Sequence, residues 1–267
     1  MVEGTRAFAL VAWMWIRAAL TYRTSFVITT LANLVLTLLD FVVVLVMFSH
    51  IDALGGFALP EVALLYGSAS LALGMADLVL GNVEQVGRRI RDGSLDVLFV
   101  RPVPIFVQVA ADRFALRRVG RLIQAGAVLG WALVNVEVEW TPGQVLLLVS
   151  MLVSGSVIFG ALFTLGSSFQ FWAQDAAQVQ NAFTYGGGAL SQYPPTIFSR
   201  ELVRGATFVV PLAFVNWLPS LRLLGRDDPL GLPGWVDFLS PLVAVALTGL
   251  AAVVWRSAVR GYRSTGS

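Results

Sequence analysis

The sequence predicts an all-α, polytopic membrane protein, and three observations carry that prediction. Of the 267 residues, 57% are apolar and 13% charged, against about 25% charged in a soluble domain. Several stretches run almost without charge for about twenty residues, the length at which a helix crosses a hydrocarbon core of roughly 30 Å. Eight of the eighteen basic residues, Arg88, Arg89, Arg91, Arg101, Arg113, Arg117, Arg118 and Arg121, fall between two such stretches. Basic loops are retained in the cytoplasm, so this segment sets the orientation and marks the face that meets cytosolic partners.

Taken in order, residues 1–24 come first. Phe8, Val11, Trp15, Ala18 and Tyr22 recur at spacings of three and four, while Arg6 and Arg17 lie elsewhere. That pattern predicts an elbow helix lying in the membrane interface; a spanning helix there would have to bury Arg17. The stretch lacks a small-residue cleavage site and is interrupted by Arg17 and Arg23, so it is not read as a cleavable signal peptide. The first crossing runs over 26–48 and the second over 62–83, joined by an arginine-free loop with His50, Asp52, Gly55 and Gly56. A third, 114–136, enters past Arg117, Arg118 and Arg121, whose long side chains can snorkel to headgroups. A fourth, 145–168, returns to Trp172, Gln174 and Asp175, and the last, 236–255, is followed by Arg256, Arg260 and Arg263.

Residues 176–234 leave the topology open, because Tyr193-Pro194-Pro195 breaks one apolar stretch and Pro211 and Pro219 interrupt the next. Seven crossings would put the C-terminus outside. Six crossings put both termini in the cytoplasm and place fourteen arginines inside, against Arg200, Arg204, Arg222 and Arg226 outside, which the positive-inside rule prefers. Residues 197–222 are then expected as short outer helices, on or dipping into the outer leaflet. Broken backbone at that depth must be shielded by protein or line a watery cavity.

In the fifth crossing Gln174, Gln178, Asn181, Tyr185 and Gln192 fall near one face. Amides facing hydrocarbon are costly unless bonded, so this stripe faces either a cavity or other helices. Gly186-Gly187-Gly188 marks a hinge or a place of close packing in the same helix. Asp40 and Asp77 sit inside apolar spans and are functional candidates by default, with structural hydrogen bonding as the alternative. The Gly126/Gly130 pair and the Ser70/Gly74 pair, four residues apart, suit helix packing.

Some chemistry is excluded. One histidine and no cysteine leave no zinc motif, no thiolate site and little for a Ser/His arrangement, so no metal and no catalytic site are expected. Every cation is arginine, and a P-loop needs a lysine; ATP and its Mg can be bound only by a partner chain. A formal net charge of +2 gives no reason to expect a nucleic-acid partner.

The remaining feature is the segment 84–98, which reads as a short amphipathic helix ended at Gly93. Arg88, Arg89, Ile90, Arg91, Asp92, Gly93, Ser94, Leu95, Asp96 and Leu98 combine apolar knobs with both signs of charge, the composition of a docking surface. Lipid binding alone would not call for Asp92 and Asp96.

From Ile90-Arg91-Asp92-Gly93-Ser94-Leu95-Asp96 to Arg101-Pro102-Val103-Pro104, and in Pro211-Leu212-Ala213-Phe214-Val215-Asn216-Trp217-Leu218-Pro219, Asp228-Pro229-Leu230-Gly231 and Tyr262-Arg263-Ser264-Thr265-Gly266-Ser267, the chain resembles the permeases of ABC-2-type transporters. The likeness is to a group formerly described only as a domain of unknown function, and it covers nearly the whole chain. The resemblance implies one transmembrane domain, 1–267, with an elbow helix, six crossings, a coupling helix after the second crossing and re-entrant outer helices between the fifth and sixth. It further implies an ABC ATPase subunit docked on that coupling helix, a second permease of similar or identical sequence, and export; an apolar cavity with amides would suit an amphipathic or hydrophobic compound. Surrounding membrane lipid is the other partner, and the bacterial plasma membrane the expected location. Two other classes stay open from the residues alone: an ion-gradient-driven secondary transporter using Asp40 and Asp77, and an intramembrane lipid-modifying enzyme.

Overall fold

The computed structural model describes residues 10, 13–14, 17, 21, 23–112, 118–173 and 177–263. Its helices are α1 (Arg23–Phe48), α2 (Leu59–Leu80), α3 (Val86–Arg91), α4 (Asp96–Phe99), α5 (Ile105–Ala111), α6 (Val119–Asn135), α7 (Pro142–Phe169), α8 (Ala177–Asn181), α9 (Gly187–Ser191), α10 (Arg200–Phe208), α11 (Trp217–Leu223) and α12 (Ser240–Gly261). No strand occurs among the described residues. Four helices are long and apolar enough to cross a membrane: α1, α2 with its continuation to Arg91, α7 and α12. The pair α10 and α11, bent by 79° at Pro211, makes a fifth if taken as one span.

These four match the crossings expected at 26–48, 62–83, 145–168 and 236–255. The last starts later than expected because Val236–Phe238 is a separate 3₁₀ turn and α12 opens with Pro241 in its first turn. The third expected crossing coincides with α6, which is 17 residues long, and residues 113–117 before it lie outside the described residues. The fifth is two short helices, α8 and α9, joined by a π turn over Ala182–Gly186. The elbow over 1–24 lies mostly outside the described residues, as do Gln174 and Asp175.

Helix α2 is the hub: 78% of its apolar window is buried, against 6% for α1. Small residues let its neighbours close in, as is usual where helices pack in lipid. A Cβ on Gly67 would stand 2.7 Å from the Leu129 backbone nitrogen of α6, and one on Gly155 of α7 would stand 2.9 Å from the Val215 carbonyl. Gly74, four residues after Ser70, likewise packs on Leu122. Gly126 and Gly130 depart from their expected packing role: a Cβ on either would meet nothing within 4 Å among the described residues. Gly187 and Gly188, by contrast, lie tightly against Leu212 and Leu73, which decides for close packing over an open hinge.

Between α9 and α11 the chain is pinned by buried polar side chains. The Trp217 ring is 1% exposed, stacks on Phe198 and donates Nε1–H to the Tyr193 carbonyl at 2.9 Å. Helix α7 starts on a Thr141/Gln144 capping box with Pro142 in its first turn, and together these signals fix the start of the longest helix.

Candidate functional site

The segment 84–98 folds as expected, a short helix α3 followed by a turn at Gly93, whose φ of +70° is easily reached only by glycine. Its placement differs from the sequence reading. Ile90, Leu95 and Leu98 are buried, together with Val86, in a cluster that includes Val83, Val109, Ala110 and Trp255. These apolar knobs anchor the segment to its own bundle. The outward surface carries Arg88, Arg91, Asp92, Val97, Phe99 and Val100, with Arg89 paired to Asp112. Asp92 accepts the Ser94 amide at 3.0 Å, and this hydroxyl and amide hydrogen bonding holds its carboxyl below the usual range.

Tyr262, just after α12, stacks on Phe99 and donates its hydroxyl to Asp96 at 2.9 Å. Burial, with the Asp96 hydrogen bond adding to it, pushes the phenol from 10.0 up to about 12. The folded state therefore holds this proton more tightly than the unfolded one. Its contribution is complete below pH 10.0 and is lost as pH rises to about 12.

A second feature is a cavity of about 440 Å³ between α1, α2, α6 and α9, with a mixed polar and apolar lining. Asp40, Tyr66, Arg121, Gln124, Tyr185 and Gln192 are among its lining residues. Three of the residues expected on a translocation path, Asp40, Tyr185 and Gln192, thus meet in one space. Gln192 also donates to Ser70 Oγ at 3.1 Å, and Gln124 to the Tyr66 hydroxyl at 3.4 Å. Gln178 and Asn181 do not join them; both are exposed elsewhere. The π turn is the reason, since one inserted residue rotates the rest of the helix by about 100° and splits a stripe that reads as continuous in the sequence.

Asp77 does not line the cavity and is instead an ion-pair centre. Its carboxylate lies 3.2 Å from Arg118 Nε and 3.8 Å from an Arg121 nitrogen. Tyr185, inside the π turn, donates to Asp77 Oδ1 at 3.1 Å and lies 3.4 Å from Glu84 Oε2. Arg118 also donates to the Asp77 carbonyl and to Asn82. No hydrogen bond joins Asp40 to Asp77 among the described residues. Gly81 closes the arrangement: a Cβ there would overlap Asp77 Oδ1. Gly81→Ala is expected to displace the carboxylate and cost about 1–3 kcal/mol, seen as a lowered apparent melting temperature in detergent.

The sequence reading missed a chain of buried amides. The Gly87 N–H donates to Gln170 Oε1 at 2.7 Å, and Gln170 Nε2 donates to Gln180 Oε1 at 2.6 Å. Gln170 and Gln180 are 1% and 2% exposed. Glycine makes room at both contacts, since a Cβ on Gly87 or Gly166 would overlap these side chains. The links join α3 to the end of α7 and to α8. Gln180 sits between Gln178 and Asn181 and carried no signal of its own.

Compared with known proteins, the chain matches the family model described as ABC-2 family transporter protein over residues 34–266. No curated protein and no solved structure matches it. The matched span takes in the hub helices, the 84–98 segment and the polar cavity, and the long apolar helices agree with a membrane-spanning transport component. The chain belongs to the ABC-2 family of transporters, as a membrane-spanning permease.

Proposed function

We propose that this chain is the permease subunit of an ATP-driven exporter of an amphipathic or hydrophobic compound, working in a bacterial plasma membrane. In this reading it crosses the membrane six times, with both termini and the 84–98 segment in the cytoplasm and the bent α10–α11 pair re-entrant from outside. ATP and Mg are bound by a separate ATPase docked on 84–98, and a second permease, identical or similar, completes the pathway. The family membership supports transport in general; the exporter reading adds direction and partners.

The observation that carries it is the construction of 84–98. An apolar side is buried in the bundle, a charged side faces outward, and buried amides run from Gly87 to α7 and α8. A rigid-body push on the outward side would reach the cavity through α2, which runs on into this segment, and through α8 and the π turn that carries Tyr185. Closure of an ATPase pair on ATP supplies such a push, and access changes as a shift between two packings. The polar cavity, whose lining mixes Asp40, Arg121 and amides with Val43, Leu73 and Ala189, suits a cargo with polar and apolar parts.

The test uses exposed positions, since Leu95→Glu would bury a charge and unfold the segment. The double variant Asp92→Arg, Val97→Glu, co-expressed with the neighbouring genes, should insert normally but lose a co-purifying ATPase at least tenfold, the effect of about 1.4 kcal/mol. Undiminished ATPase recovery with that variant would remove 84–98 as the docking surface. An active wild-type chain purified without any ATPase would favour gradient-driven transport instead.

A further inference from the structure

A groove of about 550 Å³ opens between α2, α7 and α12, away from the polar cavity. Met75 and Val79 of α2, Gly160 of α7 and Ala252 of α12 line it, with Phe106 of α5 and Trp255 at the end where the 84–98 segment packs. Trp255 is 8% exposed and sits edge-on to Phe106 and Phe171 at centroid distances of 5.2 and 5.6 Å, so that end of the groove is braced. Among the described residues, Arg256 is the only charged one in the lining. It is exposed and makes no salt bridge among the described residues.

The order of chemistry along this groove is apolar wall, aromatic end, exposed guanidinium. A phospholipid has the same order from acyl chain through glycerol to phosphate. An acyl chain seated against the apolar wall removes surface from lipid-exposed packing defects, and a guanidinium binds phosphate oxygens through a fork of donors. A second copy of the chain would need an acidic group opposite Arg256 and an apolar ridge of matching length, which a single lipid supplies without further assumption. We propose that this groove is a binding site for one anionic phospholipid, in the leaflet on the side of the 84–98 segment, with its acyl chain between α2, α7 and α12 and its phosphate on Arg256. The bound lipid would pack against the ring pair that holds the base of the 84–98 segment.

The test is native mass spectrometry of the delipidated full chain in detergent, exposed to phosphatidylglycerol or phosphatidylcholine with identical acyl chains. Wild type should retain phosphatidylglycerol roughly fivefold over phosphatidylcholine, the effect of one cation at an anionic headgroup. Arg256→Gln should bring the two lipids to parity, and Arg200→Gln should leave the preference intact. Ala252→Trp, which fills the groove at an exposed position, should reduce retention of both lipids severalfold. Persistence of the preference in Arg256→Gln overturns the headgroup assignment. Undiminished retention in Ala252→Trp overturns the groove, and so does displacement of the lipid by inorganic phosphate alone.

Discussion

Asp77→Asn is expected to lower stability by about 3 kcal/mol, the low end of the range for removing one partner of a buried ion pair. The substitution keeps the shape and removes the charge. It leaves Arg118, with a side chain 13% exposed, facing no carboxylate at 3.2 Å, and weakens the hold on Arg121 and on the Tyr185 hydroxyl. Glu84, 3.4 Å from that hydroxyl, keeps some negative charge nearby, which is why the upper end of the range is not expected. Because desolvation opposes buried pairs, the double variant Asp77→Leu, Arg118→Met should recover most of the loss. Asp40→Asn is the contrast: Asp40 is exposed in the cavity and makes no salt bridge among the described residues, so a change within about 0.5 kcal/mol is expected. Apparent melting of the detergent-solubilised protein reads all three. An Asp77→Asn protein that melts with wild type would show that the ion pair carries no net stability.

Asn216→Leu should cost about 3–4 kcal/mol, although the two side chains share the same branched skeleton. Asn216 is fully buried and uses every hydrogen-bonding position it has. Its amide donates to the Leu65 and Ser191 carbonyls at 2.9 and 2.8 Å, and its oxygen accepts from Ser68 and Ser220 at 2.7 and 2.8 Å. Three helices, α2, α9 and α11, are clasped by one side chain. Each buried group left without a partner costs about 1–3 kcal/mol. The sum is smaller than four such penalties because Ser68 keeps a bond to Leu64 and Ser220 keeps a contact with Met151. Hydrogen exchange should rise over 191–223 and stay unchanged in α1. Exchange that rises uniformly, or not at all, would mean that the clasp does not hold the bent outer pair in place.

The long spans were legible because twenty uncharged residues in a row have few physical alternatives, and α1, α2, α7 and α12 lie where those stretches lie. The short helix and turn of 84–98 were legible too, since Gly93 and the alternation of arginine with apolar residues admit little else. What escaped reading were questions of facing. Amphipathicity says that Ile90, Leu95 and Leu98 need a cover, and it does not say whether the cover is a partner or the chain's own α5 and α12. The GxxxG spacing of Gly126 and Gly130 identifies a smooth helix face without supplying a neighbour. The polar stripe was half correct: Tyr185 and Gln192 line the cavity, while Gln178 and Asn181 were lost to a π turn that leaves no mark in composition. Gln170 and Gln180 are buried because two distant glycines, Gly87 and Gly166, lie against them, and pairing of that kind is not written in local sequence.

The uneven attachment of α1 has a mechanical consequence. With only 6% of its apolar window buried, this helix meets the bundle mainly along α6, where Gly120 comes within about a side chain's width of Thr30 and Leu34. Thr37, Asp40 and Val43, further along the same helix, form one side of the polar cavity. One wall of the chamber is therefore carried by the long helix with the fewest anchors. Tilting that wall about Gly120 would enlarge or collapse the chamber while the hub around α2 stays packed.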